Sequence, residues 1–318
     1  MKIVTLERSS VGMDCDTSRW QELGEVVEYR VTPYEEISER VADADVIVAN
    51  KCRLNEETLR LATHVKMIAE MATGYDNINL DYCREKNIAV ANVSGYSTDA
   101  VVQHTFALAF YVMEHLSYYD RYVKSGAYAA QDEFAHYAKH FHELSQKTWG
   151  IVGTGNIGQG VAKVAAAFGC RVLFYSASGK YTVDGYEMTD LETILKESDI
   201  LSLHCPLTEK TKYLINSGSL RKMKKTAYLI NVARGAVVNN SDLAQALREG
   251  VIAGAGLDVL EQEPISGDNP LAKIMDSERL IITPHMAWGA VEARQRCADE
   301  VYENIRAFMN GESRNRIV

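Results

Sequence analysis

Short apolar, β-branched runs recur along the whole chain with spans of helical period between them, and few folds accommodate that alternation. KIVTL, VVEYR, DVIVAN, VKMIAEM and IAVAN in the first hundred residues read as strands, as do TWGIVG, RVLFYS, DILSLH, AYLINVA, AGLDVL and LIITPH further on. Between them, YEEISERVAD and LDYCREKN carry apolar residues at helical spacing. Strands joined through helices are joined by crossovers, which makes neighbours parallel and covers both faces of the sheet. The expected fold class is therefore α/β, built on doubly wound parallel sheets.

At 318 residues the chain exceeds what one core supports, about 250 to 300 residues, so two domains are expected. A long apolar helix from Thr98 through VVQHTFALAFYVMEHL to about Tyr119 links the two strand series. The last helix, about Gly289 to Asn310, has Val291, Ala298, Val301, Ile305 and Phe308 at core spacing and could pack back on the first unit. The expected division is residues 1–97 with 286–318, and residues 98–285.

The 34 basic and 43 acidic residues leave a net charge of −9 without a basic run, which argues against nucleic acid and anionic membrane as partners. MKIVTLERSS has no leader pattern and no apolar run approaches the ~18 residues of a membrane span, so a cytoplasmic protein is expected. Six cysteines without CxxC spacing suit free, buried thiols in a reducing compartment. His136, His140 and His142 cluster locally, but the segment announces no closed ligand set and no metal is expected.

GTGNIG, Gly153 to Gly158, follows an apolar strand and opens a helix, the context in which this spacing binds a dinucleotide. Gly153 permits the tight turn, Gly155 the approach of backbone to a pyrophosphate, and Gly158 close helix–strand packing. An acid about 20 residues on would hold the adenosine ribose, yet the segment reads LFYSASGK and Ser176 stands 18 residues after Gly158.

Ligands of a doubly wound sheet bind beyond the carboxyl ends of its strands. Arg234 follows AYLINVA, Glu263 follows AGLDVL and His285 follows LIITP, while Asp258 lies inside GLDVL. Taken singly, each has a plain alternative as a surface ion pair, a solvated acid or a strand cap. Together they supply a fork for a carboxylate, a proton near neutral pH and a partner for the imidazole. With a nicotinamide cofactor, that set suits reduction of a 2-oxo acid.

The ordered series ATGYDNINL, NVSGYSTDAVVQHTFAL, GTGNIG, HCPLTEKT, LINVARGAVV, GLDVLEQEP and TPH resembles the D-isomer-specific 2-hydroxyacid dehydrogenases over essentially the whole chain, with GYSTDAVVQHTFAL and TPHMAWGAVEAR similar to the glycerate dehydrogenase, or hydroxypyruvate reductase, branch. The resemblance implies a Rossmann nucleotide-binding domain, a flavodoxin-like catalytic domain and a homodimer, with no appended regulatory domain. It assigns Arg234 to the substrate carboxylate and carbonyl, His285 to proton transfer and Glu263 to His285. Ala72, Thr73 and Gly74 would offer amides to the carboxylate. Asn156 and Ile157 would meet the pyrophosphate, Asp258 and the Val232 backbone the carboxamide, and Cys205, Pro206, Thr211 and Ala233 the rest of the cofactor. Where NAD-dependent members have Asp, Ser176, Ser178 and Lys180 would suit a 2′-phosphate, so NADP is expected ahead of NAD. Hydroxypyruvate and glyoxylate are the first substrates to consider, and a cofactor-binding, corepressor-like scaffold is the alternative of another class.

Overall fold

All eleven apolar runs form strands, and every ladder between them is parallel. The structure, a computed structural model, describes residues 1–274 and 278–318. It divides into two units, Met1–Ser97 with Trp288–Val318, and Thr98–Ala287.

In the first unit, β1 (Lys2–Thr5), β2 (Glu25–Glu28), β3 (Val46–Ala49), β4 (Met67–Glu70) and β5 (Ala89–Ala91) form one sheet in the order β2-β1-β3-β4-β5. Strand order reverses between β1 and β3, the flavodoxin-type switch point. The span YEEISERVAD, expected as one helix, is a 3₁₀ turn at Tyr34–Glu36 followed by the four-residue α1 (Ile37–Arg40). LDYCREKN gives α2 (Leu80–Glu85), whose N-cap Asn79 accepts from the Tyr82 amide at 3.1 Å. Val4, Ile47, Ile68 and Val90 pack one face of the sheet without exposure to solvent.

The second unit opens with α3 (Thr98–Met113) and α4 (Leu116–Lys124). These were expected as one helix, but His115 adopts φ 54° and breaks it. An apolar-all-round segment gives way there to one whose tyrosines face residues 136–139: the Tyr119 hydroxyl donates to the Lys139 carbonyl at 2.8 Å. Next come β6 (Thr148–Val152), α5 (Asn156–Ala167), β7 (Arg171–Tyr175), the two-residue β8 (Glu187–Met188), α6 (Leu191–Glu197) and β9 (Ile200–Leu203). They are followed by α7 (Ser217–Leu220), β10 (Tyr228–Asn231), α8 (Asn240–Glu249), β11 (Gly254–Leu257) and β12 (Leu280–Ile282). The sheet order β12-β11-β10-β9-β6-β7-β8 reverses between β6 and β9. Counted from β6 this is the 3-2-1-4-5-6 order of a dinucleotide-binding sheet with one further strand at the edge.

Apolar layers cover both faces of this sheet. Val102, Phe106, Val112, Trp149 and Val161 build one, with Trp149 Nε1 donating to Ser202 Oγ at 2.8 Å, and Leu201, Leu229, Leu243 and Leu247 build the other.

The chain returns to the first unit with α9 (Val291–Met309). Ala298, Val301 and Ile305 are fully buried there, and Trp20 Nε1 donates to the Ala298 carbonyl at 3.1 Å. Val291, expected in the core, is 63% exposed because it is the first residue of the helix. All six cysteines are free and buried, and no described helix is long and apolar enough to cross a membrane.

Candidate active site

Parallel register places the ends of β10, β11 and β12 level. Asn231 pairs with Leu257 and Leu257 with Ile282, so the loops carrying Arg234, Glu263 and His285 leave the same edge of the second unit's sheet. The glycine loop leaves β6 at that edge, and Ser176 follows the end of β7.

At the glycine loop, Gly153 has φ +114°, and a Cβ on it would come within 2.6 Å of the His204 carbonyl oxygen, so backbone conformation and space both demand glycine. Gly155 differs. A Cβ there would meet nothing within 4 Å, and the residue caps α5, whose first turn holds no acidic side chain. An uncrowded backbone at a helix N-terminus, with N–H groups unpaired within the helix, is what an incoming pyrophosphate requires. The residues present therefore fit a dinucleotide.

The flanking loops carry the other cofactor candidates. Ser176 Oγ and Ser178 Oγ lie 3.2 Å apart, and the Lys180 amide donates to Ser178 Oγ at 3.3 Å. Thr211, which is buried, closes its own loop by donating to the Pro206 carbonyl at 2.6 Å and accepting from the Thr208 amide at 2.8 Å. Burial pushes the neighbouring Cys205 thiol up to about 11 and the His204 imidazole down to about 3. His204 therefore stays neutral at any working pH, and neither ring nitrogen has a hydrogen-bond partner among the described residues. The Ala233 amide donates to Asn231 Oδ1 at 3.0 Å, and Arg234 Nη1 donates to the Ala233 carbonyl at 2.9 Å.

His285 and Glu263 meet. Nδ1 of His285 is 2.5 Å from Glu263 Oε2, and Glu263 Oε1 accepts from the Leu260 amide at 2.9 Å, so both carboxylate oxygens are held. With Nδ1 facing the carboxylate, Nε2 is the nitrogen left to exchange a proton. His285 has φ 53°, a left-handed conformation costing about 1 to 3 kcal/mol in a non-glycine residue.

Asp258 compensates that strain. Its carbonyl accepts the His285 amide at 2.9 Å, Oδ1 the Met286 amide at 2.8 Å and Oδ2 the Ala287 amide at 2.8 Å. The carboxylate is 1% exposed and also accepts the Thr283 hydroxyl at 2.6 Å, which in turn stands 3.0 Å from His104 Nε2. Sequence reasoning passed over Thr283 and His104; the polar pair inside VVQHTFAL and the Thr before Pro284 were the available signals.

In the first unit, Ala72, Thr73 and Gly74 follow β4. The Ala72 carbonyl accepts the Val93 amide at 2.9 Å, Thr73 Oγ1 donates to the Val93 carbonyl at 2.8 Å, and Asn92 Nδ2 donates to the Thr73 carbonyl at 2.7 Å. The Ala72 and Thr73 carbonyls are engaged while the amides of all three residues, among the described residues, meet no acceptor, an arrangement suited to an anion. Of the histidine cluster, His136 stacks on Tyr122 with centroids 3.8 Å apart and lies 2.7 Å from the Tyr118 hydroxyl, whereas His140 and His142 are exposed.

Residues 106–287 match the family model described as the D-isomer specific 2-hydroxyacid dehydrogenase NAD binding domain. The chain is 34% identical to a hydroxypyruvate reductase of Blautia hydrogenotrophica over 98% of each chain. It is 37% identical to a glycerate dehydrogenase of Methylorubrum extorquens over 99% of this chain and 98% of the relative. Among solved structures, an acyclic imino acid reductase in complex with NADPH and D-Arg superposes with a TM-score of 0.88 at 30% identity, covering all of both chains. A D-lactate dehydrogenase from Aquifex aeolicus, complexed with NAD and lactic acid, superposes at 0.83 and 30% identity over 98% of this chain and 96% of the other.

The two glycines separate fold from binding. Gly155→Ala is expected to keep the parent's denaturation midpoint while weakening nicotinamide nucleotide binding about tenfold, or ~1.4 kcal/mol, because the methyl enters open space in front of the loop. Gly153→Ala is expected to lower stability itself by ~1 to 3 kcal/mol. Paired denaturation and nucleotide titrations check this, and a Gly155→Ala protein that binds as tightly as the parent would place the pyrophosphate elsewhere.

Proposed function

The chain belongs to the D-isomer-specific 2-hydroxyacid dehydrogenase family, and from that premise we propose that it reduces small 2-oxo acids, hydroxypyruvate and glyoxylate first among them, to D-2-hydroxy acids in a reversible reaction. The observation that carries this reading is the His285–Glu263 pair at 2.5 Å, on loops that leave the sheet edge level with the one bearing Arg234.

Gly153, Gly155, Asn156, Ile157 and Gly158 would hold the cofactor's pyrophosphate, with Cys205, Pro206, Thr211 and Ala233 along its length and Asp258 with the Val232 backbone at its carboxamide. When bound, the nicotinamide supplies a hydride to the carbonyl carbon. Arg234 offers a planar fork that pairs with the substrate carboxylate and polarises the carbonyl oxygen. In the first unit, Ala72, Thr73 and Gly74 offer amides suited to a carboxylate. Glu263 accepts from Nδ1 and keeps the His285 ring in one orientation, and Nε2 gives its proton to the carbonyl oxygen as the alcohol forms. The imidazole is then neutral and regains a proton from solvent before the next turnover.

NADP(H) is the preferred nucleotide in this reading. Ser176 and Ser178 offer hydroxyls and Lys180 a positive charge at the place where a ribose-binding carboxylate would repel a 2′-phosphate. A homodimer accords with the second unit's exposed aromatics: Phe134 is 88% exposed, Tyr137 74% and Phe141 54%, and surface of that kind marks association. We place the reaction in the cytoplasm.

A panel of 2-oxo acids against NADH and NADPH, followed by nicotinamide absorbance, tests the reaction, and a nucleotide-binding protein that turned over none of them would be a scaffold. In that assay His285→Ala is expected to lose ~10²- to 10⁴-fold in kcat with nucleotide affinity nearly unchanged; undiminished turnover would remove His285 as donor. Ser176→Asp is expected to lower the NADPH/NADH ratio of kcat/KM by weakening NADPH ~1 to 3 kcal/mol, a like-charge contact. An unmoved ratio would mean that Ser176 does not face the ribose. Sedimentation at micromolar concentration should give twice the 35.4 kDa chain mass, and a monomer would refute the dimer.

A further inference from the structure

His104 takes no part in the reaction just described, yet it stands one hydroxyl away from the buried carboxylate that holds the backbone beside His285. It lies one helical turn before Leu108 on the face of α3 that packs against β11 and β12. Opposite Leu108 is Gly256, where a Cβ would come within 2.9 Å of Leu108 Cβ; the bare strand lets the helix lie this close.

From there His104 Nε2 reaches Thr283 Oγ1 at 3.0 Å, and Thr283 Oγ1 reaches Asp258 Oδ1 at 2.6 Å. The second distance is that of a charge-assisted O–H···O⁻ bond. An ionised carboxylate only accepts, so the hydroxyl proton points at Asp258 and the hydroxyl oxygen accepts from the imidazole. His104 must then carry its proton on Nε2. Two donor side chains in series thus end on one buried carboxylate, and that carboxylate receives the Met286 and Ala287 amides beside His285.

We propose that His104 is a positioning residue for carbonyl reduction: through Thr283 it fixes the Asp258 carboxylate, and with it the left-handed turn that aims the His285 imidazole at Glu263 and at substrate. This rests on the reading of His285 as proton donor. Without the His104 donor the Thr283 hydroxyl is released to its other rotamers, Asp258 loses that hydroxyl partner, and the turn at residues 285–287 loses its fixed anchor.

The test compares H104L, which removes the donor, with H104Q, which keeps an N–H near the same place, and T283V with T283S, in the full-length protein. H104L and T283V should each lower kcat roughly tenfold, as expected of a displaced catalytic group, with the KM for oxo acid within about twofold of the parent. H104Q and T283S should stay within about threefold, and the H104L/T283V double variant should be no slower than either single variant. A second readout needs no turnover. The downfield proton resonance of His285 Nδ1–H bonded to Glu263 should broaden or vanish in H104L and T283V and persist in H104Q and T283S.

If the parent reduced no 2-oxo acid, the proposed reaction would fall while this resonance still decided the positioning. Additive losses in the double variant, an H104Q protein as slow as H104L, or an unchanged resonance in H104L would each overturn the proposal.

Discussion

The second unit's chemistry depends on how one buried charge is satisfied. Asp258 follows a strand made of Gly, Ala and Leu, and at 1% exposure its carboxylate has no water to turn to. An ionised carboxylate in that position must be surrounded by donors or it cannot be tolerated. The chain meets the demand with the Thr283 hydroxyl and the amides of Met286 and Ala287. Those amides can converge on the carboxylate only if the backbone turns back on itself just before them. The left-handed His285 is that reversal, so its strain is the local consequence of solvating Asp258 with backbone.

The sheets make such an arrangement available. Parallel ladders hold Asn231, Leu257 and Ile282 in one line, and residues a few positions beyond each strand emerge on a single edge. The loops that carry Arg234, Glu263 and His285, distant in sequence, thereby leave the sheet at one edge without any of them having to be long. The same rule operates in the first unit, where the amides at residues 72–74 follow the end of β4 and the carbonyls of Ala72 and Thr73 are turned aside by Val93 and Asn92. Each sheet also reverses its strand order once, and the crevice opened by that reversal is where a ligand has access to strand ends.

Much of this was legible from the amino acids. Strands buried on both faces are written as continuous apolar runs, and each of the eleven could be placed; the two-residue β8, Glu187–Met188, has too short a pattern to register. Helix interruptions were less visible. His115 breaks α3 from α4 with neither Gly nor Pro to mark it, and the apolar character on the α3 side hides the change of direction. The short α1 failed for the opposite reason, since a helical period in YEEISERVAD says nothing about how few turns are kept. Arg234, Glu263 and His285 stood out because they lie just beyond strand ends, and the last two do meet. The donors behind Asp258 could not, because a relay through Thr283 to His104 joins residues 179 positions apart, and no local spacing encodes it.

The histidines show why residue type alone underdetermines function. His285 is held by a carboxylate on Nδ1 and presents the other nitrogen. His104, whose Nε2 is 3.6 Å from Asp258 Oδ1, bonds to the hydroxyl that donates to that carboxylate. His204 has no hydrogen-bond partner among the described residues on either ring nitrogen and is held neutral by burial, a proton-inert shape next to the glycine loop. His136 is stacked on Tyr122 and lies 2.7 Å from the Tyr118 hydroxyl. An imidazole near its solution properties can do any of these things. What distinguishes them is the second atom along: an acid, an alcohol, nothing or a phenol. A histidine read from sequence is therefore a question about its neighbour's neighbour, and here the answer for two of them runs through the same buried aspartate.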